Sequence, residues 1–170
     1  EGFTHVIPLG PDYERVAEGF ASTTRRLVRQ ADESGLTVRT AETIEDVESW
    51  HAMAVGTVRR RGGTPKPLSI YRRIFEEMAP AGLARYHLVL HDGAPVAGSI
   101  HLFHQGVATN WLSVSHETAW PLRPNNFLIA SLLETLCAAG YLEYNFGASP
   151  PDAAGLIRYK ENWGARRRPV

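Results

Sequence analysis

Gly140-Tyr-Leu-Glu-Tyr-Asn-Phe-Gly-Ala-Ser-Pro-Pro-Asp-Ala-Ala-Gly-Leu-Ile-Arg-Tyr-Lys160-Glu-Asn-Trp-Gly164 decides how the chain is read. Gly140 stops a helix. Leu142 to Phe146 alternates as a short strand, Gly147 to Asp152 turns, and a short helix follows, stopped at Gly164. One lysine, Lys160, flanked by aromatic residues and glycines, therefore falls just past the end of a buried strand. Ligands gather at such strand ends in mixed α/β sheets.

Working outward, Pro124-Asn-Asn126 opens an apolar helix through Phe127, Leu128, Leu132, Leu133 and Leu136. Before it lie three strand-like runs, Tyr86–His91, Pro95–Phe103 and Val107–Ser115, joined at Asp92-Gly93 and Gln105-Gly106. The first junction is a strong hairpin signal, so the three runs predict an antiparallel meander. Further upstream, Asp12 or Tyr13 to Ser34 predicts one helix, and Leu36–Thr40 a strand. A helix starts at Thr43 with Asp46, a Gly/Pro-rich loop spans Arg60–Pro67, and a shorter helix spans Ser69–Met78. Thr4–Pro8 reads as a strand remnant. A meander followed by a crossover helix implies an α/β (α+β) domain whose mixed, mostly antiparallel sheet carries helices on both faces.

Bulk properties bound the function. The 170 residues suffice for one domain with a sizeable core, and 44% hydrophobic with 21% charged residues describes a globular chain. The 18 basic and 18 acidic residues cancel, so bulk charge points to neither nucleic acid nor membrane surface. No apolar run reaches spanning length, and the lone Cys137 fits a reducing compartment, so a cytoplasmic location is expected. No Cys/His or His/carboxylate spacing matches a metal site, and no Gly-x-Ser-x-Gly elbow is present. His87 and His91 share a strand face. Trp111, Phe103 and Tyr144 read as sheet core.

Several pieces together resemble one GNAT-type domain of the FemABX peptidyltransferases and their acetyltransferase-like relatives. They are Arg25–Ala31 with Gly35-Leu36, Thr57–Gly62 with Pro65, Pro95-Val-Ala97, Pro124-Asn125, Tyr144-Asn-Phe-Gly147 with Ser149, Gly155, Tyr159-Lys160 and Trp163-Gly164. They run over about residues 20 to 165 and look like the C-terminal domain of the usual tandem pair, so a GNAT fold and an absent upstream GNAT-like domain are expected. The resemblance implies an enzyme that moves an activated acyl or aminoacyl group onto an amine. In the peptidyltransferases the donor is aminoacyl-tRNA and the acceptor a peptidoglycan precursor. An acetyl-CoA-dependent N-acetyltransferase is the first alternative, and a non-catalytic domain completing a partner's cleft the second. No tightly bound cofactor is expected.

Two departures bear on that reading. The position of the usual Gly-rich pyrophosphate loop is Ser113–Asn126, which contains no glycine, and this disfavours CoA. Relatives often carry aspartate where this chain has Asn145, and an amide cannot act as a base.

The candidate site follows. Lys160 stabilises an oxyanion or pairs with a donor phosphate, and Tyr159 completes the Phe/Tyr-Lys pair that the resemblance places at the donor end. The competing reading is an ordinary surface lysine beside Glu161. Asn145 and Ser149 position the reacting groups, or, with Gly147 and Asp152, are plain turn and cap chemistry. Asn125 and Asn126 donate to a carbonyl or phosphate, or one of them caps its helix. Arg59, Arg60 and Arg61 with Lys66 form the densest internal basic patch, which suits donor phosphates or the backbone of a tRNA acceptor end, or is a solvated loop. Arg25, Arg26 and Arg29 form a helix face expected to pair with Glu14, Asp32 or Glu33. Trp163 lines the lysine's pocket or packs a hinge.

Overall fold

The computed structural model describes residues 2–170. In chain order the elements are β1 (Phe3–Pro8), α1 (Tyr13–Glu18), α2 (Ser22–Asp32), β2 (Leu36–Thr40), α3 (Ile44–Arg60), α4 (Leu68–Met78), β3 (Ala84–His91), β4 (Ala94–His104) and β5 (Val107–Ser115). A 3₁₀ helix (Glu117–Leu122), α5 (Pro124–Ala138), β6 (Glu143–Ser149), α6 (Ala154–Glu161) and β7 (Arg166–Pro169) complete the chain. Local chemistry explains several boundaries. Thr43 and Asp46 form a reciprocal capping box at the start of α3. The β3–β4 turn places both Asp92 (φ 50°) and Gly93 (φ 78°) in the left-handed region that a two-residue hairpin requires.

The seven strands form one sheet in the order β2-β3-β4-β5-β6-β1-β7. Every pairing is antiparallel except β5 with β6, which are joined through the α5 crossover. Strand alternation sends Tyr86, Leu88, Ile100 and Val114 to one face, where they meet Trp50, Met53 and Tyr71 of α3 and α4. Phe103, Ala108, Tyr144 and Phe146 face the other way, against Ile129, Leu132, Leu133 and Leu136 of α5. Gly98 is required by close approach: a Cβ there would sit 2.5 Å from the His87 carbonyl and 2.8 Å from the Trp50 ring.

Three upstream expectations change. The single helix over 12/13–34 is two, because the chain breaks at Gly19–Ala21. There the Ala21 N–H donates to the Asn162 carbonyl, so docking onto the α6–β7 turn replaces a helical bond. Among the described residues, Arg25, Arg26 and Arg29 make no ion pair; Arg25 donates instead to the Glu18 and Phe20 carbonyls exposed by that break. Trp111 is 39% exposed rather than core. It lies at the β4–β5 bulge, where His101 pairs with Asn110 and Ile100 with Leu112, so the extra residue leaves the regular alternation.

The α5 face of the sheet also buries a polar chain. Ser99 Oγ lies 3.1 Å from His101 Nδ1, and His101 Nε2 lies 3.0 Å from the Tyr144 hydroxyl, which reaches across β5 from β6. The His87 ring meets His101 edge-on at 5.2 Å. Burial, then the nearby Arg85 charge, pushes His87 down to about 4, and burial with His87 beside it holds His101 well below the usual range.

The unfolded chain therefore binds protons below about pH 6.5 that the folded chain refuses, and stability falls as the pH drops from there towards 4. For His87 alone the loss between pH 7 and 4.5 is on the order of 2 kcal/mol. Urea unfolding at the two pH values measures it, and His87→Gln, which cannot titrate there, is expected to shrink the difference by about that amount.

Candidate active site at the parting of two parallel strands

The parallel pairing of β5 and β6 is short. It runs through Val107 with Glu143, Ala108 with Tyr144 and Thr109 with Asn145, and then ends. Beyond it the two strands separate, and a cleft of about 460 Å³ opens between them. Asn110–Ser113 of β5 form one wall and Phe146 and Ala148 of β6 the other. The α5 N-terminus and Tyr159 and Lys160 of α6 close the cleft, with Arg61, Trp120 and Arg123 at its edge.

Gly147 makes this geometry. In a regular strand successive carbonyls point to opposite sides. Gly147 takes φ 74°, which breaks the alternation and turns two neighbouring carbonyls to one ammonium group. Lys160 Nζ donates to the Gly147 carbonyl at 2.8 Å and to the Ala148 carbonyl at 3.0 Å. A Cβ on Gly147 would also lie 3.0 Å from the Asn110 carbonyl across the parting. Asn145 braces the turn, its Oδ1 accepting from the Gly147 N–H at 2.8 Å and from the Thr4 hydroxyl.

Lys160 is thus no surface lysine: it is 4% exposed, and burial lowers it to about 8. An ammonium group has three donors, so one N–H is left for the cleft it lines. Burial raises Tyr159 to about 12, so its phenol stays protonated at neutral pH and can donate.

The structure gathers five of the nine candidate residues on this cleft: Lys160, Tyr159, Asn125, Asn126 and Arg61. Four lie elsewhere. Asn145 is engaged in the Gly147 turn. Ser149 is buried, with its hydroxyl 3.4 Å from His5 Nδ1. Arg59 is exposed on α3 and lines no part of the cleft. Trp163 is fully buried, its ring 5.0 Å from Phe20 and edge-on to it.

The capping expectations also change. Arg123, at φ 58°, is the N-cap of α5, with Pro124 at the first helical position, so neither Asn125 nor Asn126 caps it. Ala153, not Ser149 or Asp152, precedes α6, with no side-chain cap.

Sequence reasoning missed Asn110, Trp111, Trp120 and Arg123. Trp120 lies in a stretch without helical periodicity that folds as the 3₁₀ helix around Pro121, so no local signal marked it, and the structure leaves it exposed. Arg60 packs its guanidinium over Trp120, 5.6 Å from the ring centre, and donates to the Ser115 carbonyl at 2.8 Å. Among the described residues, Arg61 and Arg123 have no acidic partner.

A family model described as an acetyltransferase (GNAT) domain matches residues 19–161. No curated protein sequence matches the chain. Among solved structures, FemX superposes with a TM-score of 0.89 at 16% identity, over 97% of this chain and 59% of that one. The C-terminal domain of a putative lysylphosphatidylglycerol synthetase from Agrobacterium fabrum gives 0.69 at 16% identity, over 99% of this chain and 58% of that one. The L-PGS of Bacillus licheniformis gives 0.69 at 14% identity, over 98% and 58%. The chain therefore spans less than two thirds of each of these three, and identities this low speak for the fold alone. With the family match covering most of its length, the chain belongs to the GNAT acetyltransferase-domain family.

Proposed function

We propose that the chain is the acyl-transferring domain of a FemX-like aminoacyltransferase, using an aminoacyl-tRNA donor and an amine acceptor of the cell envelope. The observation that carries the donor choice is the start of α5. In a CoA-binding GNAT domain a glycine-rich turn and free N–H groups cradle the pyrophosphate. Here the N–H groups of Asn126 and Phe127 both donate to the Arg123 carbonyl, Pro124 has none, and a 3₁₀ helix, with no glycine, directly precedes α5. That leaves the Asn125 N–H alone at that end. Arg61 and Arg123 instead present charge without acidic partners, which suits a phosphate-linked donor.

In this reading the acceptor amine attacks the ester carbonyl, forming the C–N bond. The third N–H of Lys160 stabilises the oxyanion. The C–O bond to the ribose then breaks, Tyr159 donates its phenolic proton to the leaving oxygen, and the proton lost by the amine restores the phenol. No covalent enzyme intermediate is needed. An upstream GNAT-like domain supplies the rest of the acceptor site, consistent with the fraction of FemX that the chain spans. No helix among the described residues is long and apolar enough to cross a membrane; the cytoplasm is the proposed location.

Two outcomes are expected. Lys160 loses its proton as the pH passes through about 8, so the rate of native protein relative to Lys160→Arg falls above that pH. Lys160→Met is expected to lose about 10²- to 10³-fold in kcat, as when one oxyanion donor is removed. A native-to-arginine ratio that stays constant from pH 7 to 9.5 would refute the cationic role. Side-by-side titration with acetyl-CoA and an aminoacylated RNA acceptor-stem analogue tests the donor: binding of the RNA alone is expected. Binding of acetyl-CoA alone makes the protein an acetyltransferase, and binding of neither favours a domain that only completes a partner's cleft.

A further inference from the structure

Behind the edge of the cleft lies a second cavity of about 550 Å³, between the end of α3, the end of β5 and the 3₁₀ helix. It shares Arg61, Trp120 and Asn125 with the first, so the two adjoin. Its furnishing is unusual. Trp120 is 48% exposed, yet its ring is fixed at one edge, where Nε1 donates to Ser115 Oγ at 3.1 Å, and at one face, where Arg60 lies over it. The Asn125 amide reaches the same Ser115 hydroxyl, Nδ2 to Oγ, at 3.5 Å. Its Oδ1 is buried and has no hydrogen-bond partner. Arg60 is itself held, by the Thr57 hydroxyl at 3.1 Å and the Ser115 carbonyl at 2.8 Å.

Each feature asks for the same kind of ligand. An exposed indole held rigidly by its edge, with a cation on one face, offers the other face for stacking at little entropic cost. A buried amide oxygen without a donor destabilises the empty site until an N–H reaches it. An unpaired guanidinium at the junction of the two cavities meets a phosphate. A flat aromatic ring, an exocyclic amine and an adjoining phosphate occur together in an adenine nucleotide.

We propose that this second cavity binds the adenine of the acyl donor: the base stacks on Trp120, its exocyclic amine donates to Asn125 Oδ1, and Arg61 meets the adjoining phosphate. The proposal rests on the donor being nucleotide-borne, as in the function proposed above. The adenine belongs either to the 3′-terminal adenosine of an aminoacyl-RNA or to CoA.

The test is calorimetric titration of native protein, Trp120→Ala, Trp120→Phe and Asn125→Ala, each first checked for an unchanged unfolding temperature. Three probes are used: a short single-stranded RNA whose 3′-terminal adenosine carries an amide-linked alanine, the same RNA ending in purine riboside, which lacks the amine, and CoA. The native protein is expected to prefer adenosine over purine riboside by about five-fold, the value of one hydrogen bond. Asn125→Ala erases that preference. Trp120→Ala weakens both RNAs about ten-fold, and Trp120→Phe recovers part of the loss. The same pattern with CoA and not with RNA upholds the adenine site and overturns the RNA donor. RNA binding that neither Trp120→Ala nor Asn125→Ala changes overturns the adenine site and leaves the RNA donor standing. Binding of no probe overturns both.

Discussion

The ammonium group of Lys160, held by the carbonyls of Gly147 and Ala148, is the contact on which the functional end of the molecule depends. Two parallel strands that part leave backbone groups without ladder partners, and such groups destabilise a protein interior unless something bonds them. At this parting a buried cation does so, and the turn at Gly147 aims both carbonyls at it. The same contact fixes α6 against β6 and thereby sets the cleft wall carrying Tyr159. Desolvation of the lysine is the cost of the arrangement, and it also tunes the lysine to lose its charge near pH 8.

The opposite wall is organised by a different polar cluster. Ser115, at the end of β5, receives α3 through Thr57 and Arg60 and receives the 3₁₀ helix and α5 through Trp120 and Asn125. One residue thus ties the distant α3 to the two segments that follow β5 directly, at the rim of the cleft. The charged residues there are not equivalent. Arg60 is engaged with Ser115 and Glu117 and works as scaffold, whereas Arg61 and Arg123 keep their charge available. The buried Tyr144–His101 contact ties β6 to β4 across β5 close to where the parallel pairing ends.

Most of the sheet was legible in the sequence, since the meander, its turn residues and the crossover helix carry their own local signals. Asp92-Gly93 reads as a hairpin because its backbone demands are local. The break at Gly19–Ala21 does not read, because it answers to the Asn162 carbonyl far along the chain. The site was half legible. Tyr159-Lys160 stood out by position and by family resemblance, yet nothing local distinguishes a buried lysine from an exposed one, as burial here follows from a tertiary contact at Gly147. Trp111 was misplaced because a bulge shifts the alternation, and Trp120 was passed over because a 3₁₀ helix containing proline has no periodicity to detect. Trp163 and Ser149 were drawn towards the site by their place in the motif, whereas their side chains turn into the interior.

The most direct measurement is an NMR titration of the Lys160 side chain, following its Cε and Hε signals with Lys160→Arg for assignment. A desolvated ammonium held at the strand parting is expected to titrate near 8. A midpoint near the ordinary lysine value of about 10.4 would mean that the side chain is solvated, and would contradict the account of how this cleft is built.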